Sequence, residues 1–410
     1  MLNRRHFVRT AAAASLVTNL RADTRPGRKL RVGVMGLSRG KAHISNFAQL
    51  EGVEIAYVCD VDQNRLAAGA KFATDRQGGK APKAVTDFRR ILEDQDVDIL
   101  SIAAPNFWHA PATILACDAG KHVYVEKPGS HNPREAELMV AAAQRTGRKV
   151  QMGNQRRSAP GFREGIAKLK AGAIGELRYA RCWYDNKRTS IGKGKAAAVP
   201  AHLDYGLWQG PVPARPYKDN LIHYNWHWHW NYGGGELANN GVHALDIARW
   251  ALGVDLPILT SYTGGRYHFD DDQETPDTAD ATYDFGKVGM SWHGSSCLQR
   301  KHEKHSFVSI YGDGGIMSFD GGGYRIHDNS GKLVEENVPG LSDLPHFQNF
   351  VNAIRRGEAL NAEITDAQKS TMLCHLGNIS YREGMQIKGS EAPKKLWKRE
   401  YSEAWKPAGI

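Results

Sequence analysis

The 410-residue sequence predicts an α/β protein with two unlike parts. In residues 30–155, short apolar segments without polar alternation are joined by helical stretches, the pattern of a parallel sheet buried on both faces. In residues 156–390 the apolar segments alternate with polar positions, are rich in aromatics and are separated by glycine and aspartate turns. That second pattern belongs to a large, open, mainly antiparallel sheet with one solvated face. The length also exceeds what one small core serves and suits two domains.

The elements follow in order from the same cues. Residues 30–37 form a strand ending in Gly36-Leu37-Ser38-Arg39-Gly40, and 43–50 the first helix. A second apolar strand, 53–59, stops at Asp60, and helices at 63–75 and 86–93 follow. A strand at 98–104 ends before Pro105, and a helix at 109–119 is closed by Gly120. The next strand runs into Glu126-Lys127-Pro128, a helix at 133–145 is closed by Gly147, and 149–154 is the last strand of the series. In the second part a helix at 161–171 leads into a strand at 176–185. Further strands are expected at 278–285, 289–293, 306–311, 316–319 and 324–328, with helices at 346–356 and 366–383. The basic tail, 391–410, reads as a surface arm.

Composition excludes several classes. An apolar fraction of 41% and a charged fraction of 24% are ordinary for a soluble globular chain. The formal charge of +10 is concentrated at the start, because residues 1–30 contribute +6 and leave +4 for all the rest. A nucleic-acid footprint is therefore not expected. Residues 1–29 read as an export leader and linker. Arg4 and Arg5 form a twin-arginine pattern, followed by an apolar run at 11–20 that is too short to span a bilayer. Cleavage near Ala22 would put Leu20 at the −3 position, which leaves the site ill defined, and a plain basic tail is the alternative. The expected location is periplasmic or otherwise extracytoplasmic, without membrane insertion. Five cysteines with no C-x-x-C pair read as small core residues.

The turn after the first strand departs from the ideal G-x-G-x-x-G. Gly36 is in place, Ser38 takes the middle glycine position, and Gly40 comes one residue early. Ser38 can still donate to a phosphate beside the amino end of the following helix. Asp60, about twenty residues on, is placed to bind the adenosine ribose and to repel a 2′-phosphate. NAD is the expected cofactor; Arg39 or Arg65 could offset the repulsion and admit NADP. Lys127 stands at the carboxyl end of a parallel strand, in the crevice where open α/β sheets bind ligands.

The turn, Asp60, the Pro105-Asn106 and His109 region, and Glu126-Lys127-Pro128 together resemble the Gfo/Idh/MocA oxidoreductases. The resemblance covers nearly everything after Leu30, and the strand ending in E-K-P is its most specific piece. It implies a Rossmann domain holding the cofactor through Gly36, Ser38, Arg39, Gly40, Asp60, Pro105, Asn106, His109, Glu126 and Lys127. It also implies a substrate domain whose sheet forms the interface of a dimer or tetramer, and a Lys127 that touches the substrate hydroxyl. The family's second motif, D-x-x-x-H on a helix, is met at His243 but not at Asn239. The i, i+4 spacing puts both on one helical face, where His243 could accept the hydroxyl proton and Asn239 could only hold a hydroxyl. A satisfied structural histidine is the bland reading of His243, and a surface lysine that of Lys127.

Arg156, Trp226, His227, Trp228 and Asn240 are further candidates for the substrate wall. If residues 224–230 are extended, Trp226, Trp228 and Trp230 share one face and His227 and His229 the other. An aromatic core strand is the alternative, and the H-x-H pair lacks a third ligand, so no metal is expected. Either Arg156 or Arg157 could reach the site. The composite expectation is an NAD(P)-dependent oxidoreductase moving hydride from a sugar, polyol or glycoside, with the cofactor tightly bound because no free pool exists outside the cytoplasm. The alternatives are a glycoside hydrolase working by transient oxidation on bound NAD, and a sugar-binding protein without turnover.

Overall fold

The computed structural model describes residues 28–389 and 394–405. The twin-arginine segment and the region of Ala22 lie outside the described residues.

The first sheet holds β1 (Leu30–Met35), β2 (Val53–Cys59), β3 (Lys83–Val85), β4 (Ile99–Ile102), β5 (His122–Val125) and β6 (Val150–Met152). All pairings are parallel, in the spatial order β3-β2-β1-β4-β5-β6. Helices α1 (Gly40–Phe47), α2 (Gln63–Arg76), α3 (Arg89–Glu93), α4 (Asn106–Asp118) and α5 (Pro133–Thr146) connect them. Local chemistry sets their ends: Asp62 accepts from the amides of Asn64 and Arg65 to start α2, and Asn132 accepts from Glu135 N to start α5. Strand order reverses between β1 and β4, so the carboxyl ends of β1, β4 and β5 open onto one crevice.

The second sheet has nine strands. They are β7 (Leu177–Asp185), β8 (Leu259–Gly265), β9 (Thr278–Asp284), β10 (Gly289–Ser295), β11 (Val308–Gly312), β12 (Gly315–Asp320), β13 (Gly323–His327), β14 (Leu333–Asn337) and β15 (Ile387–Lys388). Their order is β14-β13-β12-β11-β7-β10-β9-β8-β15, antiparallel throughout except for the β7–β10 pair. One face carries Ala180, Cys182, Met290, Trp292, Ile310 and Phe319 into a core. Helices α6 (Pro160–Lys170), α8 (Val242–Leu252) and α10 (Ile364–Glu383) cover that face; the short α7 (Tyr205–Gln209) packs Tyr205 and Trp208 into the first domain's core and puts Leu207 and Trp208 on the cleft. The strands β3, β8, β14 and β15 were not expected from sequence. Five of the seven residues of β8 are Thr, Ser or Gly, and β14 exposes Leu333 and Val334 at an edge.

Helix α9 (Leu344–Arg356) belongs to the second part by sequence yet completes the core of the first. Its Phe347, Phe350 and Val351 pack with Val32, Ile44, Phe47 and Tyr124, and Phe347 stacks on Tyr124 at 4.3 Å. A largely buried ionic network ties the start of the second domain to α8 and α10. Arg157 pairs with Asp246 at 2.8 Å and with Asp366 at 2.7 Å, and Arg249 with Asp366 at 2.6 Å. The tail is not a solvated arm in its described portion. Arg399 and Tyr401 bind Glu135 at 2.9 and 2.7 Å, and Trp405 meets Trp108 edge to face at 4.7 Å. All five cysteines are buried and unpaired. No helix of the described residues is long and apolar enough to cross a membrane.

Candidate active site

A cleft of about 490 Å³ lies at the switch point, running from the ends of β1 and β2 to the amino end of α8. At one end, Gly36 has φ +86°, and a Cβ there would sit 2.5 Å from Ala103 O. Only glycine fits that close approach. The turn is pinned from β2: Leu37 N donates to Asp60 Oδ2 at 2.8 Å and Asp62 N to Oδ1 at 3.0 Å. Burial raises the Asp60 carboxyl above its ordinary range, against the pull of these two bonds. Ser38 and Arg39 are exposed on the cleft rim, and Arg65 and His223 stand near Asp60. Gly40 is not on the cleft wall: a Cβ there would lie 3.0 Å from Val34 Cγ1, so this glycine lets α1 pack on β1.

These residues fit a dinucleotide. The cradle at Gly36, beside the start of α1, would take a pyrophosphate, and Asp60 the adenosine ribose. Pro105 and Asn106 line the wall beyond, and the Asn106 side chain has no partner among the described residues. His109 has a different task from the one expected. Its ring nitrogens lie 2.6 Å from Pro128 O and 2.8 Å from Ala104 O, so it ties α4 to two strand ends and keeps no nitrogen for a ligand.

Glu126 is the buried anchor of the next segment. Its Oε1 accepts from Arg39 Nε at 3.0 Å, His43 Nε2 at 3.1 Å and Gln155 Nε2 at 3.1 Å, and its Oε2 from Lys127 N at 3.2 Å. Burial would raise this carboxyl, but the His43 bond and the charges of Arg39, His43 and Lys127 bring it well below its usual range. Ser101 Oγ holds the other His43 nitrogen at 2.8 Å. Arg39 is also tied to Asp343, just before α9, at 2.6 Å.

Lys127 follows, its peptide to Pro128 cis, with its ammonium half-buried in the cleft. Nζ donates to Asn239 O at 2.7 Å and to Asn239 Oδ1 at 3.2 Å. One of its three N–H bonds is left for a ligand. Asn239 sits in a wide π turn, Leu237–Gly241, that precedes α8, and it faces Lys127 rather than the cleft. Asn240 is also off the cleft wall, its Nδ2 held by Glu236, which pairs with Arg188 at 2.8 Å. His243 does reach the cleft, and its ring has no hydrogen-bond partner among the described residues. Burial, then the positive charges of Arg156 and Lys127, hold it well below the ordinary histidine range.

The aromatic run is not extended. Asn225–Trp228 form a 3₁₀ turn, which places Trp226 and His227 on the cleft and turns Trp228 away beneath Arg188, 4.9 Å from its ring. His227 stacks on Trp226 at 3.6 Å, and its Nδ1 lies 2.6 Å from Tyr224 O. Burial lowers it to about 3, so it is neutral. Of the adjacent arginines, Arg156 lines the cleft and Arg157 belongs to the ionic network with Asp246 and Asp366. Sequence reasoning missed His43, Gln155, the Arg188–Glu236 pair and Trp405, which lines the end of the cleft near Thr86 and Phe88. Each acts through a partner distant in the chain, for which no local pattern exists.

Fold and site together define a nucleotide-binding α/β protein with a lysine and a histidine over one cleft. The chain belongs to the Gfo/Idh/MocA oxidoreductase family: residues 30–154 match its NAD-binding Rossmann fold and 179–404 its C-terminal α/β domain. Among solved structures, the aldose–aldose oxidoreductase of Caulobacter crescentus is similar, with a TM-score of 0.68 at 20% identity over 88% of this chain and all of that one. The WlbA dehydrogenase of Bordetella pertussis, solved with NADH and UDP-GlcNAcA, gives 0.66 at 19% identity over 88% of this chain and 99% of that one. Among curated relatives, a glycosyl hydrolase family 109 protein of Shewanella pealeana is 33% identical over 37% of this chain. The match spans 39% of that relative's length.

Proposed function

We propose that the protein is an NAD-dependent oxidoreductase acting on a carbinol of a sugar, polyol or glycoside. The observation that carries this is the convergence of Lys127 and His243 on the cleft that the glycine turn and Asp60 also line. Bound NAD would supply the hydride acceptor. Asn239 takes two donors of the Lys127 ammonium, and the third orients the substrate oxygen and offsets its developing negative charge. His243, kept neutral, takes the hydroxyl proton. Trp226 and His227 form the wall against which a sugar ring lies. Asp60 favours NAD over NADP.

A second reading is glycoside hydrolysis by transient oxidation, elimination, addition of water and return of the same hydride. Similarity to glycosyl hydrolase family 109 proteins favours it. Both readings need the same lysine, histidine and nucleotide, so products separate them. Denaturing the purified protein and identifying the released nucleotide tests the cofactor. Coupled assays then decide: free ketosugar or lactone with reduced nucleotide supports the dehydrogenase, and released aglycone with unchanged NAD supports the hydrolase. A bound nucleotide that no sugar or glycoside reduces or turns over would leave a binding protein.

The same reading includes export through the Arg4-Arg5 leader, a cofactor retained during export, and self-association through the open face of the nine-stranded sheet, where Tyr179 is exposed.

A further inference from the structure

Arg39 and Arg156 line the inner part of the cleft, Arg157 and Arg188 lie beside residues that do, and three of these four have carboxylates of their own. Arg39 holds Glu126 and Asp343, Arg157 holds Asp246 and Asp366, and Arg188 holds Glu236, all within 2.6 to 3.0 Å. Arg156 has none. Among the described residues its guanidinium makes no ion pair and no hydrogen bond, although the side chain is half-buried and lines the cleft. Among the described residues its close partner is the Phe307 ring, 4.5 Å from the guanidinium carbon. Asp343 and Asp246 act on it through space, and both are committed to Arg39 and Arg157.

A cation withdrawn from water without a counter-charge is costly, and proteins pair such groups or leave them for a ligand. Here the nearby carboxylates are already paired with other cations. His243 is neutral and feels Arg156 as its strongest charged neighbour, Lys127 is cationic, and the oxygens of Glu126 are taken by other donors. The substrate end of the cleft therefore carries an excess positive charge. Stacking on Phe307 restrains the guanidinium, and a restrained guanidinium binds an oxyanion through two parallel N–H bonds.

We infer that Arg156 recognises an oxyanion on the substrate itself, so that the preferred substrate is an acidic sugar bearing a carboxylate near the carbinol to be oxidised. One uncommitted guanidinium matches a single negative charge, which favours a sugar carboxylate over a phosphate ester. This rests on the oxidoreductase reading of the site, and it names the substrate class that reading leaves open.

The test uses the full chain with its bound nucleotide, as wild type, Arg156→Gln and Arg156→Lys, each checked for melting temperature and nucleotide content. Ligands are matched pairs: glucuronate and glucose, galacturonate and galactose, mannuronate and mannose, with the corresponding sugar phosphates as a third arm. Binding is measured by calorimetry, and turnover by reduction of the bound nucleotide. At least one uronate is expected to bind about tenfold or more tightly than its neutral partner. Arg156→Gln should raise the KM for that uronate by roughly ten- to a hundredfold and remove most of its advantage over the neutral sugar, whose own KM should change far less. Arg156→Lys should restore part of the preference.

Equal binding of hexose and uronate overturns the inference, and so does equal weakening of both by Arg156→Gln. Loss of nucleotide in both variants would assign Arg156 to the cofactor and overturn it too. Tighter binding of phosphates than uronates overturns the carboxylate assignment. Uronate binding that depends on Arg156 without any hydride transfer would uphold the anion site and sink the oxidoreductase reading instead.

Discussion

An imidazole that takes a proton near neutral pH must be unprotonated there, and His243 is arranged for it. Burial and two cationic neighbours lower it from the ordinary 6.5, so its basic form persists as pH falls and is lost only through a value well below 6.5. Lys127 is lowered from 10.5, chiefly by burial, so its charge is lost as pH rises through a value below 10.5. The proposed reaction should therefore show a bell-shaped kcat/KM profile, with its acid limb under 6.5 and its alkaline limb under 10.5. An acid limb at or above the ordinary histidine value would remove His243 as the base. Lys127→Ala should lower kcat by about 10²- to 10⁴-fold while the nucleotide stays bound, because the glycine turn does not depend on that ammonium. Near-normal turnover in this variant would contradict the site assignment.

At the level of elements, the site is built where a strand end, a turn and a helix start meet. The turn after β1 requires Gly36, so Gly36→Ala should cost about 1–3 kcal/mol and sharply reduce nucleotide content in the purified protein. Retention of full nucleotide content would show that the turn does not form the cradle. The π turn ahead of α8 turns Asn239 toward Lys127 while His243 reaches the cleft, which a regular helix with i, i+4 neighbours would not do. The segment at 310-helical Asn225–Trp228 likewise overrides the alternation that its sequence suggests. At the start of the second domain, Arg157→Ala would leave Asp246, which is 1% exposed, without its guanidinium. Such a loss is expected to cost about 3–5 kcal/mol, read as a lower melting temperature by calorimetry. A change under 1 kcal/mol, about the value of a surface pair, would mean that water replaces the bridge.

Across the whole molecule, the chain returns twice to its first domain after leaving it. Helix α9 supplies Phe347 and Phe350 to the first core, and the final segment brings Trp405 to the outer end of the cleft. Arg89 stacks over the Trp405 ring at 4.5 Å, and Phe88 lies parallel to it at 6.1 Å. An aromatic group there encloses the end of the cleft beyond Asp60. Trp405→Ala is expected to speed release of bound nucleotide about tenfold, measured by dilution and filtration, with the melting temperature little changed. An unchanged release rate would make Trp405 a packing residue alone.

Much of the first domain was legible from local pattern. Strands buried on both faces have no polar alternation, helix caps are local, and the Gly36 turn, Asp60 and Lys127 stand at strand ends that the sequence marks. His243 was legible through its motif. The rest depended on contacts between distant residues. His109 looked like a ligand residue until two backbone carbonyls claimed its ring, and the bond from the Lys127 ammonium to Asn239 exists only in the fold. The sequence by itself determined an α/β chain with a nucleotide turn and a lysine in the crevice, because those features follow from spacing along a strand or helix. Only the tertiary structure decided which cations are already paired, that Arg156 is not, and that α9 and the tail close over the first domain. Charge pairing and burial are properties of neighbours in space, and spacing along the chain does not encode them.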